Sequence, residues 1–135
     1  MIEVVSRGGN LALNVGPQPD GRLPAEALKS LSGLGTWLRV NGNAIYGTRA
    51  LDVAQIENVM YTQKGDTVFA IIPLDEGEVL GKTLFIPTVR KVESVKCLGY
   101  DGALRYQSKQ GGITVELPAD AVGASPYAIA FEMIH

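Results

Sequence analysis

From about residue 56 to the C-terminus, apolar residues tend to recur at every second position in short runs separated by turns, and this period of two most constrains the fold. Seven strands are predicted, at about 56–62, 67–74, 83–87, 92–98, 103–107, 113–117 and 127–133. Lys64-Gly65-Asp66, Tyr100-Asp101-Gly102 and Gly111-Gly112 supply turns between some of them. Ile113, Val115 and Leu117 share one face, as do Tyr127, Ile129, Phe131 and Met133. Seven short strands with one apolar face each predict an antiparallel β-sandwich whose core lies between two sheets.

The first 50 residues follow a different period. Met1 to Ser6 reads as the last turns of a helix, with Gly8 or Gly9 as the left-handed residue that stops it. Leu11 to Val15 is apolar except for Asn14, the pattern of a strand covered on both faces in a parallel sheet. A turn at Pro19-Asp20-Gly21 follows. Pro24 then opens a helix predicted over 24–40, with Leu28, Leu31, Leu34, Trp37 and Leu38 as its apolar stripe and Asn41-Gly42 as its stop. Gly33 and Gly35 each cost that helix about 1 kcal/mol against alanine, which points to close approach of another backbone there. A parallel strand needs parallel neighbours for its backbone hydrogen bonds, and these 135 residues offer none to Leu11–Val15.

Composition removes several function classes. The formal net charge is -2, from 12 basic and 14 acidic residues mixed along the chain, so nothing in the charge favours nucleic acid or an anionic membrane. Cys97 is the single cysteine, which forbids an intrachain disulfide and reads as a buried thiol. No apolar run reaches the roughly 20 residues of a membrane span, and no secretory signal opens the chain. The one histidine is His135, so histidine triads and histidine metal sites have nothing to be built from. No cofactor is predicted: the glycines of GGNLALNVG precede their strand, whereas a dinucleotide site needs them between strand and helix.

Two carboxylates suffice to hydrolyse a glycoside when suitably spaced across the sugar. Asp75, Glu76 and Glu78 cluster in one segment, which reads as a solvated loop. Asp20, Asp66 and Asp101 each adjoin glycine and read as turn caps. Asn14 has two readings: its amide ties down the Gly16-Pro17 loop, or it stands at the C-terminal end of a strand where barrel chemistry is sited. Tyr46, Tyr61, Tyr100 and Tyr106 form a sugar-stacking platform if they face solvent together, and core or interface packing if they do not.

Three stretches carry a resemblance: VVSRGGNLALNVGPQPDGRLP, LGTWLRVNGNAIYGTR and YTQKGDTVFAII. In this order they resemble the C-terminal portion of an α-L-fucosidase of glycoside hydrolase family 29, densely over residues 4–49 and more loosely from 56 onward. The resemblance implies a strand–helix remnant of a (β/α)8-like barrel over 1–51, followed by a C-terminal β-sandwich over 52–135. It implies a parent enzyme that removes terminal α-L-fucose from glycans with retention, using an aspartate nucleophile and a separate acid/base carboxylate. Both lie in segments upstream of the matched motifs, so no residue of this chain is assigned as catalytic; Asn14 alone is carried over, as a substrate-proximal position. The chain alone is then expected to be inactive and accessory, with the remaining barrel as its partner and fucosylated glycan met through the parent. A secreted, periplasmic or lysosomal parent fits the family. The rival readings are an autonomous carbohydrate-binding sandwich and a self-associating module held together through the orphan strand and helix.

Overall fold

The computed structural model describes residues 1–51, 58–75, 78, 80–88, 91–118 and 128–134. Eight strands in two antiparallel sheets are formed by these residues, with a long helix against the outer face of the larger sheet. The strands are β1 (Arg49–Ala50), β2 (Met60–Lys64), β3 (Thr67–Pro73), β4 (Thr83–Pro87), β5 (Ser94–Cys97), β6 (Tyr106–Lys109), β7 (Gly112–Glu116) and β8 (Ala128–Ile134). One sheet runs in the order β1-β2-β3-β8-β5 and the other β4-β7-β6. The helices are α1 (Ile2–Ser6) and α2 (Ala25–Asn41), the latter running on into a 3₁₀ turn at Gly42–Ala44.

The two central strands, β3 and β8, explain the layering. Val68, Ala70 and Ile72 of β3 and Ile129, Phe131 and Met133 of β8 point toward the three-stranded sheet and join Ile86, Ile113 and Val115 in the main core. The opposite parity, Phe69 and Ile71 with Ala128 and Ala130, faces α2 and forms a second cluster with Trp37 and Ala44. Strands covered on both faces lose the polar half of their alternation, and β3 is accordingly apolar from Val68 to Ile72. The register sets Ala70 opposite Phe131 and Ile71 opposite Ala130. The small Ala128 and Ala130 leave room for the indole.

Three hydrogen bonds fix the helix layer. Trp37 Nε1–H donates to the Ala128 carbonyl at 2.9 Å, across 91 residues of chain. Asn41 Nδ2 donates to the Trp37 carbonyl at 3.1 Å, satisfying one of the acceptors a helix end leaves open. Thr62 Oγ1, fully buried in β2, donates to the Ala44 carbonyl at 2.7 Å. The helix therefore packs on the sheet, although Leu28 at the start of its apolar stripe stays exposed. The tight approach expected within α2 is not found at Gly35, where a Cβ would meet nothing within 4 Å. A close approach does occur just past the helix at Gly42, whose Cβ would lie 3.0 Å from the Tyr46 ring.

The predicted strand over 11–15 does not form. Leu11 and Leu13 are 45% and 57% exposed in an irregular segment. The physical reason is the one that governs all parallel strands: without neighbours to take its N–H and C=O groups, an apolar run gains nothing from extension. Its flanks hold as predicted. Gly8, at φ 81°, closes α1, with the Gly8 and Gly9 amides donating to the Val5 and Val4 carbonyls at 2.9 and 2.8 Å. Asp20 Oδ1 accepts from the Arg22 amide at 3.0 Å in the following turn.

Candidate functional site

A groove of about 680 Å³ opens where α1, the 8–13 arm, α2 and the loop into β1 meet. Met1, Val5, Leu11, Leu13, Leu34 and Ile45 give it apolar walls, and Asn10, Thr48, Tyr46 and Arg49 its polar or aromatic points. The 45–49 loop is held by its own hydrogen bonds. Thr48 Oγ1 donates to the Ile45 carbonyl at 2.9 Å, Arg49 Nη1 to the Thr48 carbonyl at 3.1 Å, and Lys64 Nζ to the Tyr46 carbonyl at 3.4 Å. Gly47 takes φ 70°, a left-handed conformation that lets the loop turn back toward β1. Tyr46 is left 60% exposed beside the arm.

Among the described residues, no carboxylate lines this groove. Glycoside hydrolysis ordinarily needs two carboxyl groups about 5 to 9 Å apart, and the described lining residues supply neither. Its single guanidinium amid aliphatic walls suits packing and anion pairing instead.

Other residues singled out in the sequence lie apart from it. Asn14 is exposed outside the groove, and its side chain makes no hydrogen bond among the described residues; the tie to the Gly16-Pro17 loop is not made. Glu78 Oε2 accepts the Asp75 amide proton at 2.8 Å in an exposed turn, while Glu76 lies outside the described residues, as do Tyr127 and His135. Asp66 and Asp101 are exposed. Cys97 is buried, and burial pushes its thiol from 9.0 to about 11.

The tyrosines do not assemble into a platform. Tyr61 is a core residue whose hydroxyl donates to the Pro87 carbonyl at 2.6 Å, and burial raises its phenol from 10.0 to about 12. Tyr106 donates to the Glu93 carbonyl at 2.9 Å, and Tyr100 is half-buried. Tyr46, read from the sequence as a member of a tyrosine platform or as packing, lines the groove by itself, and Arg49 beside it has no reading in the sequence; both sit in the AIYGTR stretch.

The family profile described as alpha-L-fucosidase matches residues 1–43, which include α1, the arm and all of α2. The α-L-fucosidase of Branchiostoma floridae is 38% identical over 130 residues, covering 93% of this chain and 29% of that protein. Human tissue α-L-fucosidase is 33% identical over 136 residues, covering 97% of this chain and 29% of its own length. Among solved structures, Thermotoga maritima α-fucosidase with a mechanism-based inhibitor superposes with a TM-score of 0.82 at 29% identity, over 99% of this chain and 32% of that one. The chain matches the C-terminal portion of α-L-fucosidases. A second fucosidase structure, isoenzyme 1 from Paenibacillus thiaminolyticus, superposes at 0.81 with 28% identity, over 98% of this chain and 32% of that one. The chain thus spans about 29% of the length of these curated fucosidases, and the likeness takes in both the helix layer and the sheets.

Proposed function

We propose that these residues are the accessory end of a retaining α-L-fucosidase, and that this chain alone does not cleave fucosides. In this reading residues 1–51 are the closing elements of the catalytic barrel and 52–135 its C-terminal sandwich. The nucleophile and the acid/base carboxylate belong to the rest of the barrel, which docks along the arm and the groove. The sandwich's task is mechanical: its five-stranded sheet clamps α2 through Trp37 and so sets where the barrel's last helix stands. Asn14 serves at the lip of the fucose site, or orders the loop beside it, once barrel strands flank the arm.

The observation that carries this reading is the exposed, apolar arm beside a groove with no acid. Leu11 and Leu13 are the exposed half of a pattern that belongs between neighbouring strands. The test is an assay of the purified 135-residue chain with an aryl α-L-fucoside. No release of the aryl alcohol above the uncatalysed rate is expected, and saturable turnover would overturn the proposal.

A further inference from the structure

Three asparagine or aspartate residues of the chain are followed directly by glycine: Asp20-Gly21, Asn41-Gly42 and Asp101-Gly102. In such a pair the glycine nitrogen is able to attack the carbonyl carbon of the preceding side chain, because no Cβ on the glycine hinders the approach. In an unfolded chain the asparagine pair reacts first, since a neutral amide is a better electrophile than an ionised carboxylate.

The fold holds two of these pairs. Asn41 is 3% exposed at the end of α2, its Nδ2 donates to the Trp37 carbonyl at 3.1 Å, and Gly42 beside it is buried with helical dihedrals of φ -57° and ψ -29°. Asp20 is exposed, yet its turn is closed. Its Oδ1 accepts the Arg22 amide proton at 3.0 Å, and the Gly21 amide donates to the Gln18 carbonyl at 2.8 Å, so electrophile and nucleophile are both engaged.

Asp101-Gly102 has neither restraint. Both residues are exposed in the irregular segment between β5 and β6. No described residue hydrogen-bonds the Asp101 carboxylate or the Gly102 amide, so the turn cap expected of Asp101 is not made. Glycine is dictated at 102 by packing: a Cβ there would overlap Cζ and Oη of Tyr100, whose side chain packs against the main core. The contact that calls for glycine thereby creates the reactive pair.

We propose that Asp101-Gly102 is a site of spontaneous covalent modification, where aspartate isomerises to isoaspartate in the folded chain ahead of the other two pairs. The Gly102 nitrogen forms a bond to Asp101 Cγ and loses its proton, and a carboxyl oxygen leaves as water, giving a cyclic succinimide. Water then adds to one imide carbonyl, whose bond to nitrogen breaks. Opening at Cγ restores aspartate. Opening at the α-carbonyl routes the main chain through Cβ and Cγ and frees the α-carboxylate, with no net change in mass.

The test ages the 135-residue chain at neutral pH, folded and in guanidinium chloride, and maps tryptic peptides with electron-transfer fragmentation, which distinguishes isoaspartate from aspartate. In the folded chain the Cys97–Arg105 peptide should divide into two peaks of equal mass. It should do so at least about tenfold faster than the Gly8–Arg22 peptide, because two hydrogen bonds must break before Asp20 reacts. The Val40–Arg49 peptide should keep its mass when folded, and in guanidinium chloride it should change first, as Asn41 loses ammonia. Asp101→Glu, which would have to close a larger ring, should remove the second Cys97–Arg105 peak with the thermal midpoint unchanged. Four results would each overturn the proposal. They are isoaspartate at Asp20 no slower than at Asp101, Asn41 deamidating first in the folded chain, a second peak that persists in Asp101→Glu, or a folded Cys97–Arg105 peptide still unchanged when the denatured one has converted.

Discussion

Replacing Trp37 with alanine probes the attachment of the helix layer to the sheet. The indole is 4% exposed, lies against Phe69, Ile71, Ala128 and Ala130, and donates its one N–H to the Ala128 carbonyl. An indole of this kind buries about 200 Å², worth about 5 kcal/mol at 25 cal/mol per Å². That figure is an upper bound, because the unfolded chain already hides part of the ring. Truncations of buried tryptophan ordinarily cost about 3 to 5 kcal/mol, cavity included, a large share of a domain stability of about 5 to 15 kcal/mol. Trp37→Phe separates the polar part: it keeps most of the apolar contact and loses the hydrogen bond, for about 1 to 2 kcal/mol. Urea unfolding followed by circular dichroism reads both variants, and Trp37→Ala should lower the thermal midpoint by about 10 to 20 °C. If Trp37→Ala stays within about 1 kcal/mol of the parent with an unchanged slope, α2 does not depend on the sheet and the mechanical role assigned to the sandwich fails.

Thr62→Val leaves the Ala44 carbonyl without its buried donor and should cost about 1 to 2 kcal/mol in the same urea experiment. Leu13→Ser, at an exposed arm position, should stay within about 0.5 kcal/mol of the parent while lowering any self-association seen by sedimentation. Burial holds the Cys97 thiol at about 11 in the folded chain against 9.0 for an ordinary thiol, so the folded state is favoured by the protonated group. That advantage is complete below about pH 9 and is lost as pH rises toward about 11, so the unfolding free energy measured with urea should fall over this window by about 2 to 3 kcal/mol more in the parent than in Cys97→Ala. A thiol reagent at neutral pH should accordingly modify Cys97 slowly until denaturant is added.

The elements that sequence reading located well are those where two signals agree. β4 matches its predicted bounds of 83–87, and β3 ends one residue short of the predicted 74, because alternation or a continuous apolar run is bounded there by turns. α2 was legible from its leucine spacing and from the proline before it, one residue from its predicted bounds at each end. β6 was displaced: it runs Tyr106–Lys109 and not 103–107, since Tyr106 is its one inward apolar residue and an exposed edge strand leaves little pattern to read. The pair Arg49–Ala50 escaped notice because two exposed residues beside β2 have no periodicity at all. Leu11–Val15 misled for the converse reason. Its apolar run matches a strand flanked by parallel neighbours, which the described residues do not supply, so composition announced a strand that hydrogen bonding does not sustain. The groove was harder to foresee than the core, since Met1, Leu13, Leu34 and Arg49 meet only through tertiary packing.

The division of labour between this chain and the catalytic carboxylates is tested most directly by intact-mass spectrometry after incubation with a 2-fluoro-fucosyl fluoride. Such a reagent leaves a fluoro-fucosyl ester on any carboxylate positioned to attack the anomeric carbon. The predicted result is a single species at the unmodified mass, with all 14 acidic residues untouched. A stoichiometric adduct mapped to one Asp or Glu of these 135 residues would contradict the account, because the nucleophile would then belong to this chain.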